Sequence, residues 1–144
     1  MSYTYDYPRP ALTVDAVVFR KTTKQLQVLL IQRKHYPFEG MWALPGGFVE
    51  MEETVEQAVV RELEEETSLK IEGLKQLHTF SELGRDPRGR TISVTFYGTV
   101  AVESSTVKGG DDAIAANWFS LNDLPVLAFD HIDAVNMALD KIKF

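Results

Sequence analysis

The chain has 144 residues, 44% hydrophobic and 25% charged, the size and balance of one globular domain rather than of a disordered or low-complexity protein. It has no cysteine, which excludes disulfides, thiolate metal sites and cysteine nucleophiles, so any metal must be held by oxygen or imidazole. A net charge of −6 argues against a broad nucleic-acid-binding surface. The Tyr- and Pro-rich start, Met1 to Pro10, is not built like a signal peptide, and the longest aliphatic run, Val28 to Ile31, is far below the roughly 20 apolar residues that cross a bilayer. The expectation is a single cytoplasmic domain over residues 1–144, with no nucleic-acid or membrane partner.

In chain order, Leu12–Phe19 and Leu26–Ile31 are rich in β-branched and aliphatic residues around the polar stretch Arg20–Gln25, which predicts two mostly buried strands joined as a hairpin. Gln32–Val49 carries Pro37, Gly40, Pro45, Gly46 and Gly47 and reads as a loop with a short strand at Trp42–Leu44. Thr54–Thr67 holds no Gly or Pro, and Thr54 with Gln57 forms a capping-box pattern at the start of a helix. Ile71–Phe80 and Thr91–Val102 read as strands around the turn Asp86-Pro87-Arg88-Gly89. Beyond the polar stretch Glu103–Asp112 come a short strand at Asn117–Phe119 and a final helix from about Asp130 to Ile142. This order predicts a mixed sheet with one helix on each face, an α/β/α sandwich.

On a helical wheel Val55, Val59 and Leu63 share one side, and Glu62 and Glu66 fall in the same sector with Glu65 at its edge. Such an arrangement sets like charges at i and i+4, opposes the macrodipole and strips carboxylates of water. Unless this is simply a solvated acidic face, a cation must compensate. Magnesium fits, because it takes oxygen ligands and commonly bridges carboxylates to substrate phosphate.

From Gly47 to Leu69 the chain reads GFVEMEETVEQAVVRELEEETSL. This closely resembles the Nudix box, with Gly47, Glu53, Arg61, Glu62, Leu63, Glu65, Glu66 and Leu69 matching and Ser68 standing where the pattern has glycine. Glycine past a helix end supplies a left-handed residue, and serine there costs roughly 1 kcal/mol. The resemblance implies the Nudix fold, a loop-helix-loop on a mixed sheet flanked by helices. It further implies that Glu62, Glu65 and Glu66 bind divalent metal, magnesium with manganese as a substitute, that the Gly46 carbonyl adds a ligand, and that Glu53 and Arg61 brace the loop together with Gly47. The activity implied is metal-dependent hydrolysis of a nucleoside diphosphate linked to another moiety. Glu62 and Glu65 are candidate bases within the box, and Asp112, next to Asp111 in a later loop, is a candidate outside it; Glu65 and Asp112 rank together.

Two loops bear on the substrate. Arg33 to Trp42 interleaves cations and aromatics, a composition suited to stacking a base and holding phosphate through Arg33, Phe38 and Trp42, although Phe38 and Trp42 also suit a core. In Gly84-Arg85-Asp86-Pro87-Arg88-Gly89-Arg90 the turn needs only Asp, Pro and Gly, which leaves the arginines, Arg85 and Arg88 above all, for phosphate. Together with WALPGGFVE, the stretches RDPRGR, DDAIAANWF and LAFDH are similar to bacterial ADP-ribose pyrophosphatases and to the Nudix-like domains of regulators of NAD metabolism. That similarity implies ADP-ribose, cleaved to AMP and ribose 5-phosphate. The alternatives are a non-catalytic nucleotide sensor, or hydrolysis of an oxidised nucleoside triphosphate, a nucleotide sugar or a dinucleoside polyphosphate. The regulators' DNA-binding winged helix is expected to be absent. His35, His78 and His131 share no metal-ligand spacing and read as structural. Tyr3, Tyr5 and Tyr7 would suit an arm exchanged in a homodimer.

Overall fold

The structure, a computed structural model, describes residues 2–142; Met1, Lys143 and Phe144, which the expected domain includes, lie outside the described residues. The strands are β1 (Ala11–Lys21), β2 (Leu26–Arg33), β3 (Trp42–Ala43), β4 (Gly46–Phe48), β5 (Lys75–Phe80), β6 (Thr91–Thr99) and β7 (Ala113–Ser120), and the helices are α1 (Val55–Thr67) and α2 (His131–Leu139). The central order is β3-β2-β1-β6-β5, with β4 added to β1 and β7 to β2. Only β1 and β6 run parallel among these pairs, so the sheet is mixed.

Side-chain alternation along β1 divides the interior into two layers. Val14, Ala16 and Val18 pack with Leu29 against Ala58, Val59 and Leu63 of α1, while Val17 and Phe19 pack with Val28 and Leu30 against Ala134, Val135 and Ala138 of α2. The result is the α/β/α sandwich that the element order predicts. Helix α1 begins with a complete capping box: the Thr54 hydroxyl accepts from the Gln57 N–H, and the Gln57 side chain accepts from the Thr54 N–H. It ends on Ser68, which takes the left-handed conformation at φ 64° and donates its N–H to the Glu64 carbonyl, the position where the resemblance expects glycine.

Several boundaries differ from the sequence reading. β5 starts at Lys75 rather than Ile71, because Leu69 and Ile71 turn into the core beneath α1 instead of entering the ladder. β7 spans eight residues, not three: its alanines are weak strand formers, and pairing with β2 decides the matter. β4 is a strand because Gly46–Phe48 pair with Thr13–Asp15 of β1. α2 is shorter than expected at both ends, and Tyr3, Tyr5 and Tyr7 stand exposed. Among the described residues no helix is long and apolar enough to cross a membrane.

One feature of the topology makes room for a site. A single edge of β1 serves two partners, β2 along Phe19–Lys21 and β4 along Thr13–Asp15. β2 therefore parts from β1 toward its end at Arg33, and the fork between them opens into a cavity.

Candidate functional site

The cavity has a volume of about 440 Å³ and is bounded by β1, the end of β2, β4, the last turns of α1, the β5–β6 connection and the start of α2. Glu62, Glu65, Glu66, Arg33, Arg85, Arg88 and Asp112 all line it, as do Gly46 and Gly47. Phe38 and Trp42 do not. Trp42 corrects the sequence reading: its ring packs edge-on to Phe119 at 4.7 Å and belongs to the core beside α2, held there by strand pairing to Gln32. Phe38 meets Phe129 edge-on at 4.8 Å and stands exposed outside the cavity lining.

The α1 wall is acidic and organised around Arg61. Its Nε and Nη2 donate to both oxygens of Glu53 at 2.9 and 2.5 Å, Nη2 also reaches the Phe48 carbonyl at 3.1 Å, and Nη1 donates to Glu62 at 2.7 Å and Glu65 at 3.2 Å. Hydrogen bonding to Arg61 holds the Glu53 carboxyl below its ordinary range. Burial does the reverse to Glu62, and it pushes Glu66 up to about 9 even though the Gly46 N–H donates to Glu66 at 2.7 Å. Gly47 lies flat against the Glu62 carboxylate: a Cβ on it would fall 2.6 Å from Glu62 Cδ. Among the described residues no three acidic or histidine side chains are drawn together as a ready metal cage. Glu53, Glu62 and Glu65 surround Arg61 instead.

The facing wall alternates guanidinium and aromatic groups. Arg88 stacks 4.9 Å from the Phe48 ring and 5.8 Å from Phe129, and Arg33 stands 5.0 Å from Phe129. Desolvation, and then the neighbouring Arg88, lower the Arg33 pKa. The only hydrogen bond that the Arg33 side chain makes among the described residues runs from Nε to the Pro37 carbonyl, at 2.6 Å. The hairpin arginines are not surplus to folding, which is a second correction. Arg85 grips Asp130 with two bonds of 2.8 and 2.9 Å and donates to Ser93 at 2.9 Å, Arg88 bonds both Asp86 oxygens, and Arg90 donates to the Ser81 carbonyl. Burial acts to raise Asp86, but its bonds to Arg88 outweigh that and leave the pKa low.

The floor contains residues that the sequence reading missed or set aside. Asp15, in the middle of β1, is nearly buried, and desolvation raises its pKa. His131, at the start of α2, accepts the Leu44 N–H through Nδ1 at 2.9 Å and points Nε2 toward Asp15 at 3.7 Å, and burial lowers its pKa. Beside them Thr13 and Ser93 share a hydroxyl contact. The available signal was a lone carboxylate inside the apolar run LTVDAVVF. At the mouth His35 stands 3.8 Å from the exposed Asp112, and Asp111 adopts φ 53°.

The sequence pattern of the NUDIX domain matches residues 9–138. The chain belongs to the Nudix family. It is 50% identical, over 125 residues, to an ADP-ribose pyrophosphatase of Methanocaldococcus jannaschii, covering 87% of this chain and 70% of that protein. It is 34% identical to the ADPR responsive transcriptional repressor NtrR of Acinetobacter baylyi, covering 95% of this chain and 56% of the repressor. In structure it resembles the Nudix domain of Shewanella oneidensis NrtR, solved as a complex with ADP ribose, with a TM-score of 0.88, 34% identity, and coverage of 96% of this chain and 94% of the other. The Nudix fold is thus shown by sequence pattern and by structure together.

Proposed function

We propose that this Nudix domain, taken as one unit, hydrolyses the diphosphate of ADP-ribose to AMP and ribose 5-phosphate. The observation that carries the reading is the pairing of walls: three carboxylates of α1 face Arg33 and Arg88 across a cavity wide enough for a nucleoside diphosphate. The 50% identity to an ADP-ribose pyrophosphatase supports the choice of substrate.

The donor set suits a hard divalent cation, since every candidate ligand is oxygen and burial penalises the charged form of Glu66, which a cation would favour. Glu62, Glu65, Glu66 and the Gly46 carbonyl would hold magnesium, or manganese in its place. When bound, the metal offsets phosphate charge and makes a water more acidic. The chain's own residues do the rest. Arg33 and Arg88 hold the diphosphate, Glu53 and Gly47 fix Arg61 and Glu62 in place, and the proton of the attacking water passes to a carboxylate. Of the candidate bases that line the cavity, Glu62, Glu65 and Asp112, the last two rank first: Asp112→Asn should lower the turnover number at unchanged magnesium requirement if Asp112 serves, whereas Glu65→Gln should shift both.

A second reading, a nucleotide sensor without turnover, is favoured by the likeness to a repressor. One assay separates the two. The protein is incubated with ADP-ribose and magnesium, and products are identified by chromatography. AMP and ribose 5-phosphate, lost in Glu66→Gln, support hydrolysis. Tight binding without products supports the sensor.

A further inference from the structure

Asp15 is 8% exposed, and among the described residues no hydrogen bond reaches its carboxylate; His131 Nε2 stands 3.7 Å from Oδ2. No fully enclosed side-chain polar atom in the described structure lacks a partner. The Asp15 oxygens therefore open onto the one surface they share with solvent, the cavity floor. A carboxylate so deep and so poorly matched is costly unless something supplies donors to it.

His131 supplies the complementary half. Because Nδ1 accepts the Leu44 N–H, the proton of the neutral ring sits on Nε2, which makes that nitrogen a donor aimed at the same spot. An acceptor and a donor 3.7 Å apart are spanned by one oxygen about 2.8 Å from each, provided that oxygen both donates and accepts. A hydroxyl does so. The remaining polar groups of the floor are already engaged, Thr13 with Ser93 and Ser93 with Arg85. A cationic ligand is disfavoured by Arg33 and Arg85 on the same surface, and a metal by the lack of further carboxylates gathered about Asp15. A base would seek ring faces, which stand higher, at Phe48 and Phe129.

We infer that Asp15 and His131 form a hydroxyl-binding site on the cavity floor that takes one hydroxyl of the non-nucleoside sugar of the substrate. The inference rests on the reading that this domain binds a sugar-linked nucleoside diphosphate. It makes Asp15 the residue that distinguishes such a substrate from a nucleoside diphosphate with no second sugar.

The test compares ADP-ribose with ADP, which lacks that sugar, on wild type, Asp15→Asn and His131→Asn. In His131→Asn the introduced amide keeps an acceptor for the Leu44 N–H, while the Nε2 donor is lost. Dissociation constants are measured by calorimetry without divalent metal, and the KM of ADP-ribose and the inhibition constant of ADP give the same comparison with magnesium. Thermal melting checks that each variant is folded. The expected result is about a ten- to hundredfold weakening of ADP-ribose in both variants, with ADP unchanged. Equal weakening of both ligands would assign Asp15 to the nucleoside or the metal and overturn the inference. Unchanged affinity for both would overturn it as well. Wild-type turnover of ADP-ribose is run alongside: binding without turnover removes the hydrolytic reading and leaves this comparison intact, whereas neither binding nor turnover removes both.

Discussion

Gly47→Ala separates the catalytic geometry from the fold in a single methyl group. The added Cβ would lie 2.6 Å from Glu62 Cδ and Oε2 and 2.7 Å from Oε1, where ordinary contact begins at 3.4 Å. Gly47 sits in a paired strand and cannot retreat, whereas the carboxylate is the free end of a flexible side chain, so Glu62 yields by close to about 1 Å. A displacement of about that size in a positioned group costs on the order of a hundredfold in rate. The energetic cost to the fold is small, because Glu62 loses its 2.7 Å bond to Arg61 while Arg61 keeps both bonds to Glu53; about 1 kcal/mol is expected. The assay is kcat for ADP-ribose at saturating magnesium, the magnesium concentration at half-maximal rate, and the thermal midpoint. A folded Gly47→Ala with wild-type kcat and magnesium requirement would refute the assignment of Glu62. Global unfolding would refute the argument that only the carboxylate moves.

Ser68→Gly should stabilise the protein by about 1 kcal/mol in urea unfolding, since Ser68 holds φ 64° at the end of α1 where glycine carries no side-chain penalty. Arg85→Ala should cost about 3 kcal/mol in the same assay, because it strips a buried ion pair from Asp130, whereas Arg88→Ala should cost about 1 kcal/mol and raise the KM for ADP-ribose more than it lowers kcat. Equal stability in the two variants would return Arg85 to a purely ligand-binding role. Burial lowers the His131 pKa below its ordinary 6.5, so below about pH 6.5 the unfolded chain takes up a proton that the folded ring does not, and stability falls with pH there. Raised Asp15 and Glu66 act in the opposite sense, and the comparison that isolates the histidine is His131→Asn, whose denaturation midpoint should fall less steeply between pH 7 and 5.

The sequence is most informative where local rules and periodicity act alone. The capping box at Thr54, the apolar stripe of α1 and the left-handed Ser68 are all decided within a few neighbouring residues. β4 escaped notice because two of its three residues are glycine and only the edge of β1 makes them a strand. The alanine-rich start of β7 gained its form in the same way from β2. For the candidate site, the α1 glutamates share a helix face, so spacing brings them together. Trp42 and Arg85 depend on partners far along the chain: Phe119 takes the indole, and Asp130 takes Arg85. Composition alone distinguishes neither a core tryptophan from a stacking one nor an anchored arginine from a free one. Asp15 was legible in principle, as the one charge within the buried run Thr13–Phe19 of β1, but its meaning required His131 from the other end of the chain.

Within the fork of β1 and β2, the two short strands are themselves held to a fixed reach. β3 is bound to β2 and β4 to β1, and only Leu44 and Pro45 join them. Three Cα steps bridge the gap, so the ends of β3 and β4 stand no more than roughly 10 to 11 Å apart at that point. The link is also pinned at both residues, by the Leu44 N–H to His131 and by the Ala16 N–H to the Pro45 carbonyl. A covalent tie of this length behaves as a caliper: it caps the spacing of the two short strands beside the cavity, whatever the cavity holds.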